Sequence, residues 1–353
     1  MTAHGDAGAA GQQLRTGATI GTMVPGLRVA DLTGLAQTAE EHGYGAIFTP
    51  EAWGTESFAL VTAFALATRS IAVGTSILPI ANRSAALTGM GAATVDDASG
   101  GRLILGLGMG HRAITEGWHR IAGYEPRLAW LRDYVATVRA TLAGDATAAG
   151  FRLGFPALRI PPIYLATLRP GSMRLAGEVA DGALLYLLPL SRVAASAAGV
   201  REGAERRGRD PVEVDVCLSI STCVTDDPAP ARAAAAELLA WYGNLPFYNE
   251  MFAEAGFAEE ARALAEAWRV VAARDPELRG WISGAHEGTA EHVSAAMVDA
   301  VFAIGSAAEC RERIAAVRRA GIDRVIVYPF GPYSGRDATV VGYRQTLAGC
   351  AGA

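Results

Sequence analysis

The chain has 353 residues, a net charge of −5, a hydrophobic fraction of 51% and a charged fraction of 19%. The apolar content excludes a disordered chain, and the mild net charge without a basic block gives no reason to expect nucleic acid or a membrane surface as a partner. All 31 basic residues are arginine, which excludes lysine Schiff-base chemistry, a lysine general base and a Walker-type phosphate loop.

Eight short apolar runs alternate with helical patterns along the chain. The runs show little period-2 alternation, which is typical of strands that are buried on both faces of a parallel sheet. They are Ala18–Met23, Ala46–Thr49, Ile71–Leu78, Leu103–Leu107, Ile163–Ala166, Ala183–Leu188, Val214–Val224 and Val325–Tyr328. Eight strands with helical connections predict a (β/α)8 TIM barrel rather than a six-stranded Rossmann sheet.

The connections in the first half of the chain have the length of single helices. After the first run, Asp31 is a suitable N-cap, apolar residues recur at helical spacing, and Gly43 is a suitable helix end. The last two runs, in contrast, are separated by several helical patterns. They predict a helical insertion between the last two strands, at about 225–305, that covers the barrel mouth. We expect residues 17–353 to form one barrel domain and residues 1–16 to form a flexible tail.

The cysteine and histidine positions argue against a metal or disulfide framework. The four cysteines lack CxxC spacing, and Cys217 and Cys223 have the spacing of buried residues on one strand face. The histidines in helical patterns have no partners at metal-ligand spacing. Unpaired cysteines and an N-terminus without a basic start or an apolar core predict a cytoplasmic protein that binds no metal.

A glycine-rich segment with a histidine follows the fourth run. Gly106, Gly108 and Gly110 resemble a dinucleotide fingerprint, but His111 occupies the position of the third glycine, and the segment does not follow the first strand. In a barrel, glycines at this end of a strand let the backbone approach a flat ligand. His111 is a candidate for proton transfer, as is His119, although a histidine in a loop is often structural or exposed.

Two other strand ends carry candidate binding residues. Glu51 and Trp53 follow the second run, where Glu51 either lines the site or stabilises the start of the next helix, and Trp53 could form an apolar wall. After the fifth run, Gly171 and Ser172 would lie in the first turn of a helix, with Arg169 just before them. This arrangement suits a phosphate, and it also suits an ordinary capped βα loop.

Several segments, in order, resemble the luciferase-like monooxygenase superfamily, and in particular its branch of bacterial oxidoreductases that depend on coenzyme F420, a deazaflavin. The matching segments are 48–54 (FTPEAWG), 72–79 (AVGTSILP), 93–102 (ATVDDASGGR), 105–110 (LGLGMG), 161–166 (PPIYLA), 175–182 (LAGEVADG) and 304–313 (IGSAAECRER). The resemblance extends from about residue 18 to residue 329. It implies a (β/α)8 barrel, usually a homodimer, with F420 as cofactor or FMN as the alternative.

The resemblance also assigns cofactor-binding residues. Ser76 and Ile77 match a bulge that supports the deazaflavin ring, commonly through a cis non-prolyl peptide bond. The Glu51 position matches an acid that lines the cofactor. The remaining positions match the loop beside the ring and the segment that holds the ribityl-phosphate tail, and they are Met109, Gly110, Leu168, Arg169, Gly171 and Ser172.

The chain departs from the sugar-phosphate dehydrogenases of this family. They have a histidine where this chain has Ala52 and a glutamate where it has His111, and their substrate-phosphate lysines have no counterpart. We therefore expect hydride transfer between F420 and a small organic substrate other than a sugar phosphate, by reduction of an activated C=C or C=N bond or oxidation of an alcohol. The alternatives are an FMN-dependent monooxygenase and a barrel that binds F420 without turnover.

Overall fold

The computed structural model describes residues 16–21, 24, 26–155, 157–274 and 289–353. Its strands are β1 (Thr16–Thr19), β2 (Ala46–Thr49), β3 (Ala72–Thr75), β4 (Leu78–Pro79), β5 (Leu103–Gly108), β6 (Ile163–Ala166), β7 (Gly182–Tyr186), β8 (Asp215–Val224), β9 (Ala303–Gly305) and β10 (Arg324–Pro329). Residues 1–15, which make up nearly all of the predicted tail, lie outside the described residues.

Helices connect the strands. They are α1 (Val29–Glu41), α2 (Ser57–Ala67), α3 (Ala85–Ala98), α4 (Leu128–Ala143), α5 (Pro170–Val179), α6 (Leu190–Arg206), α7 (Pro228–Gly243), α8 (Pro246–Phe252), α9 (Ala258–Arg274), α10 (Ala295–Val301), α11 (Ala307–Arg319) and α12 (Arg336–Gly349). Short π-helical segments cover Ala113–Trp118 and Ala253–Phe257, and 3-10 turns cover Ile80–Asn82, Pro211–Glu213 and Thr289–His292.

The strands β1, β2, β3, β5, β6, β7, β8 and β10 form a closed parallel barrel, in which β10 pairs with both β8 and β1. The predicted (β/α)8 TIM barrel is therefore confirmed. The chain segment between β8 and β10 contains α7, α8, α9, α10, β9 and α11, which confirms helices inserted between the last two barrel strands. None of the helices among the described residues combines the length and apolarity needed to cross a membrane.

The structure differs from the predicted strands at several points. β1 begins at Thr16 and ends at Thr19, so the run to Met23 overestimated its C-terminal end. The predicted run Ile71–Leu78 is divided into β3 and β4, and the cis peptide bond between Ser76 and Ile77 lies between these two strands. The short strand β9, which extends the sheet beside β8, was not predicted, since three residues give too short a pattern.

The barrel interior is filled in layers. In the middle, Phe48, Ile104, Leu184, Cys217 and Ile326 belong to one buried cluster. This placement agrees with the expectation that Cys217 is a packing residue. Inward-facing side chains of alternate strands fill a barrel in this way, so the interior is closed below the mouth.

The layer at the N-terminal end of the barrel is polar. Asp215 and Arg324 are the first residues of β8 and β10. The carboxylate of Asp215 accepts hydrogen bonds from the hydroxyl of Tyr164 at 2.7 Å and from Nε of Arg324 at 2.9 Å. Burial raises the pKa of Tyr164 above its ordinary value, so its hydroxyl stays protonated and donates. We call these three residues the floor triad.

Candidate active site

The C-terminal ends of β2 and β3 are joined by backbone hydrogen bonds. The amide of Glu51 donates to the carbonyl of Ile77 at 3.2 Å, and the amide of Ser76 donates to the carbonyl of Thr49 at 2.9 Å. The peptide bond between Ser76 and Ile77 is cis, as the resemblance implies. The side chain of Ile77 packs on the interior cluster of the barrel. The cis segment therefore forms the top of the packed interior.

The carboxylate of Glu51 is held in place by two groups. Its Oε2 accepts from the amide of Ser57, the first residue of α2, at 3.0 Å and lies 3.5 Å from Nη2 of Arg83. The side chain is only 12% exposed. Both interpretations of Glu51 from the sequence thus have a structural basis, because the residue stands at a strand end and also stabilises the start of a helix. Arg83 also pairs with Glu56.

The loop after β5 lies against Ile77. A Cβ at Gly108 would be 2.8 Å from Cδ1 of Ile77 and 3.2 Å from Cβ of Ala166 on β6, so the absence of a side chain brings the three strand ends together. Gly110 has a φ of 78°, a conformation that favours glycine. The hydroxyl of Tyr124 donates to the carbonyl of Met109 at 2.7 Å. The loop of Met109 and Gly110 is therefore fixed beside Ile77.

His111 follows this loop and is partly buried under the inserted helices. Its ring centroid lies 6.3 Å from that of Phe247 on α8. Burial lowers the pKa of His111 from 6.5 to about 4, so the imidazole is neutral at neutral pH. His119, the other candidate, is exposed, and its amide donates to the carbonyl of Ile114. The geometry favours His111 over His119 as a residue of the mouth.

The start of α5 presents backbone N–H groups. The first bond within the helix is donated by the amide of Met173 to the carbonyl of Arg169 at 2.9 Å. The amides of Gly171 and Ser172 precede it, and such groups have no acceptor inside a helix. The hydroxyl of Ser172 lies 2.6 Å from that of Thr167. The first turn of α5 thus offers the N–H groups that suit a phosphate. The hydroxyl of Ser172 also accepts from the amide of Arg169 and donates to its carbonyl, as in an ordinary capped loop.

Arg169 has a partner that the sequence did not indicate. Its Nη2 donates to Oε2 of Glu250 on α8 at 2.8 Å, and the two side chains are 56% and 63% exposed. Leu168, the residue before it, packs on the hydrophobic core. The guanidinium of Arg169, the residue before α5, is therefore engaged by Glu250 on α8.

Aromatic rings from the strand ends and the insertion meet above the barrel. Trp53 contacts Trp118 at 5.7 Å between centroids and Trp241 on α7 at 5.6 Å. On the other side, Tyr242 lies 5.5 Å from Tyr186 on β7 and 4.9 Å from Tyr248 on α8. The predicted apolar wall at Trp53 is thus part of a larger aromatic cluster.

The phenol of Tyr186 is buried in this cluster and hydrogen-bonded. Its partners are the hydroxyls of Ser221 on β8 and Tyr242, and burial raises its pKa to about 12. Its ring lies 5.7 Å from that of Tyr328 on β10. The mouth consequently has neutral hydroxyl groups opposite Trp53, with no ionised phenol at neutral pH.

Thr19 and Asn244 are among the polar side chains that have buried atoms without a hydrogen-bond partner. Thr19 ends β1 and is two residues after Gly17, so the two residues share one face of the strand. A Cβ at Gly17 would face Phe48 and Ile326, and the Thr19 side chain therefore points into the barrel. Its Oγ1 has no partner, and neither Oδ1 nor Nδ2 of Asn244, just after α7, has one. Buried polar atoms without partners are uncommon and costly, which is typical of groups that meet a ligand.

The sequence analysis missed several residues of this mouth. Arg83 lies in the loop after β4, and the aromatic residues Trp241, Tyr242 and Phe247 belong to an insertion whose docking the strand pattern does not encode. Trp118 directly precedes the candidate His119 and could have been recognised from the sequence as a second indole of the site. Within the described residues, no group of three or more His, Cys, Asp or Glu side chains is placed to hold a metal ion.

Comparison with known proteins identifies the family. A profile of the luciferase-like monooxygenase family matches residues 8–324, and the chain therefore belongs to that family, which confirms the resemblance. The 5,10-methylenetetrahydromethanopterin reductase of Methanolobus tindarius is 27% identical over 329 residues, which cover 90% of this chain and 96% of that protein.

Solved structures have the same fold. The coenzyme F420-dependent tetrahydromethanopterin reductase from Methanopyrus kandleri superposes with a TM-score of 0.74 at 19% identity, covering 96% of this chain and 98% of that chain. An F420-dependent secondary alcohol dehydrogenase in complex with an F420–acetone adduct has a TM-score of 0.69 at 18% identity, covering 95% of this chain and 99% of that chain.

Proposed function

We propose that the chain is an F420-dependent oxidoreductase that transfers a hydride between the deazaflavin and a small organic substrate. One observation carries the proposal: Gly108 at the end of β5 lies between Ile77 and Ala166, and four residues after Ala166 the chain begins α5, whose first turn contains Gly171 and Ser172. This pairing suits a cofactor with a flat ring and a phosphate-bearing tail. The names of the relatives support the same cofactor.

The residues present fit this cofactor. Ile77 and Met109 would support the ring, the amides of Gly171 and Ser172 with Arg169 would hold the phosphate, and the buried Oγ1 of Thr19 offers an unpaired hydroxyl in the mouth. Bound F420 supplies or accepts two electrons as a hydride. The chain then has to place the substrate against the ring and exclude water, which α7 and α8 do with their aromatic side chains.

His111 is the residue we assign to the accompanying proton. A neutral imidazole can accept a proton from an alcohol as the hydride leaves the carbon, whereas the protonated form predominates only below about pH 4. His111 is thus better suited as a base than as an acid. In a reduction, the proton would have to come from another group or from water.

The first experiment is a fluorescence titration of the purified protein with F420 and, separately, with FMN. We expect micromolar or tighter binding of F420 and much weaker binding of FMN. A preference for FMN would support a monooxygenase, which the family name makes the main alternative, and oxygen uptake with reduced FMN would then be measured. Binding of F420 without hydride exchange across a panel of alcohols and electron-poor alkenes would favour a non-catalytic barrel.

We also propose a homodimer. Helix α2 is apolar on nearly all sides, and Leu66 at its end is 74% exposed, while Leu87 and Met90 on the following helix α3 are 48% and 42% exposed. Such a surface suits association with a second copy. Light scattering should give a dimer for the wild type and a monomer for Leu66→Glu, and a monomeric wild type would refute the dimer.

A cytoplasmic location remains a proposal as well. Its support is that all four cysteines are buried thiols without disulfide partners, which suits a reducing compartment. Fractionation of cells that express the tagged chain tests it, and recovery outside the cytoplasmic fraction would refute it.

A further inference from the structure

Asn244 lies between two contacts of the insertion with the barrel mouth. Three residues before it, Trp241 contacts Trp53, and three residues after it, Phe247 contacts His111. Gly243 faces the other way, since its Cβ would be 2.7 Å from Cδ1 of Leu264 on α9. Residues three apart share a side of a helix, so Asn244 lies on the side of Trp241, toward the mouth.

The amide of Asn244 is unusual because neither end of it is satisfied. Both Oδ1 and Nδ2 are buried and have no hydrogen-bond partner, although the amide could accept two bonds and donate two. A buried donor or acceptor without a partner destabilises the fold. Asn249, five residues later, shows the ordinary structural case: its Nδ2 donates to the carbonyls of Gly243 at 2.9 Å and Ala261 at 2.7 Å.

We propose that Asn244 is a specificity-determining residue that binds the substrate through adjacent donor and acceptor groups, as in a lactam or a cyclic amide on a flat ring. This inference rests on the proposed function and names the substrate class for that site. A carboxamide side chain pairs with a cis-amide through two parallel hydrogen bonds, N–H to carbonyl in each direction. A substrate with such an edge would satisfy both orphaned atoms at once.

The surroundings favour a neutral ring over an anion. The indoles of Trp53 and Trp241 contact each other, and they offer flat apolar surface at a point three residues along the chain from Asn244. The arginines after β4, β5 and β6 are each paired with a carboxylate: Arg83 with Glu51, Arg112 with Glu116 and Arg169 with Glu250. Aromatic surface next to one polar group is the arrangement that orients a planar organic ligand.

The test uses two probes that differ in one ring atom. 2-Quinolone and coumarin are planar bicycles of the same shape, but the first has a ring N–H beside its carbonyl and the second has a ring oxygen. Binding of each to the F420-loaded protein is measured by calorimetry for the wild type and for Asn244→Leu. We expect the wild type to prefer 2-quinolone by about tenfold, and the variant to lose this preference while its affinity for coumarin changes less than about twofold.

The matched control is Asn249→Leu. It should lower the urea midpoint of unfolding because it removes two structural hydrogen bonds, yet keep the preference for 2-quinolone. Asn244→Leu should unfold at the same urea concentration as the wild type or a higher one, because it removes an unsatisfied amide. An unchanged preference in Asn244→Leu, a loss of stability in that variant, or no binding of either probe at millimolar concentration would each overturn the inference.

Titration with F420 separates a failure of the proposed function from a failure of the role assigned to Asn244. Both variants and the wild type are first titrated with F420. If the wild type does not bind F420, the proposed function fails, and the two probes are then titrated into the chain alone. If F420 binds normally but the lactam is not preferred, the inference about Asn244 fails by itself.

Discussion

The floor triad at one end of the barrel and two polar side chains at the other end differ in their hydrogen bonding. At the N-terminal end, the floor triad is closed: the carboxylate of Asp215 accepts from both Tyr164 and Arg324. At the C-terminal end, Thr19 and Asn244 have buried polar atoms without partners. The floor triad is satisfied from within the chain, whereas the polar atoms of Thr19 and Asn244 are not.

The difference separates residues that stabilise the fold from residues available to a ligand. A buried polar group needs a partner, and when the chain supplies none, a ligand is the natural source. The carboxyl ends of parallel barrel strands are also where barrel enzymes place their sites. The unpartnered atoms of Thr19 and Asn244 and the direction of the strands thus point to the same end of the molecule.

The largest effect on stability is expected from removing the arginine of the floor triad. Arg324→Met leaves the carboxylate of Asp215 in a largely buried place with only the Tyr164 hydroxyl as a donor within the triad. Breaking one partner of a buried ion pair costs about 3–5 kcal/mol, and we expect the free energy of unfolding, measured by urea denaturation, to fall by about that amount. The affinity of the folded protein for F420 should stay within about twofold, because the triad lies at the opposite end of the barrel from the proposed site.

The double variant Asp215→Asn with Arg324→Met is the control for this effect. It removes the charge that the single variant leaves unpaired, so it should recover a large part of the lost stability. Equal loss in the single and double variants would show that packing of the arginine stem, rather than the unpaired carboxylate, dominates at this end. A large loss of F420 affinity in the folded single variant would contradict the separation of the two ends.

Much of the fold could be predicted from the sequence because burial leaves a local signal. Apolar runs such as Ala46–Thr49 and Ile163–Ala166 coincide with β2 and β6, since strands covered on both faces must be apolar throughout. The predicted end of β1 came too late, because Ile20 continues the apolar pattern beyond Thr19, the last residue of β1 that pairs with β2. The short strand β9 depends on pairing with β8, which no local pattern encodes.

The candidate site was predictable where it lies at strand ends and not where distant segments meet. Glu51, Met109 and Gly171 follow strands directly, so strand order alone places them at the mouth. The partners Arg83 and Glu250 come from a loop and from the insertion, and nothing in their local sequence indicates that Glu51 and Arg169 will pair with them. The orphaned amide of Asn244 is visible only once its surroundings are known.

The next largest effect concerns pH and His111. In the folded chain His111 takes up a proton only near pH 4, whereas in the unfolded chain it does so near pH 6.5. Its contribution to stability is therefore fully present above pH 6.5 and is lost as the pH falls toward 4. We expect the free energy of unfolding to fall by about 1–2 kcal/mol from this residue between pH 7 and pH 5.

His111→Gln should remove that part of the decrease, and the exposed His119→Gln should keep it. Urea denaturation of the three proteins at pH 7 and pH 5 measures the difference. Identical pH dependence in His111→Gln and the wild type would mean that the imidazole is not buried as the structure places it. It would also remove the argument that His111 acts as a base at neutral pH.

The smallest effect tests the ion pair at the mouth. Arg169 and Glu250 are both more than half exposed, and exposed pairs contribute little to stability, so neither Arg169→Ala nor Glu250→Gln should change the urea midpoint appreciably. Binding should respond in opposite directions. Arg169→Ala removes a donor to the cofactor phosphate and should weaken F420 binding by about tenfold, whereas Glu250→Gln frees the guanidinium and should strengthen binding about threefold. Both changes should shrink at high salt, because exposed charges are screened.

Fluorescence titration with F420 at low and high salt measures both variants. Unchanged affinity in both would remove Arg169 from the tail site and leave the amides of Gly171 and Ser172 as its proposed donors; weakening in both would mean that Glu250 positions Arg169 for the phosphate instead of competing with it.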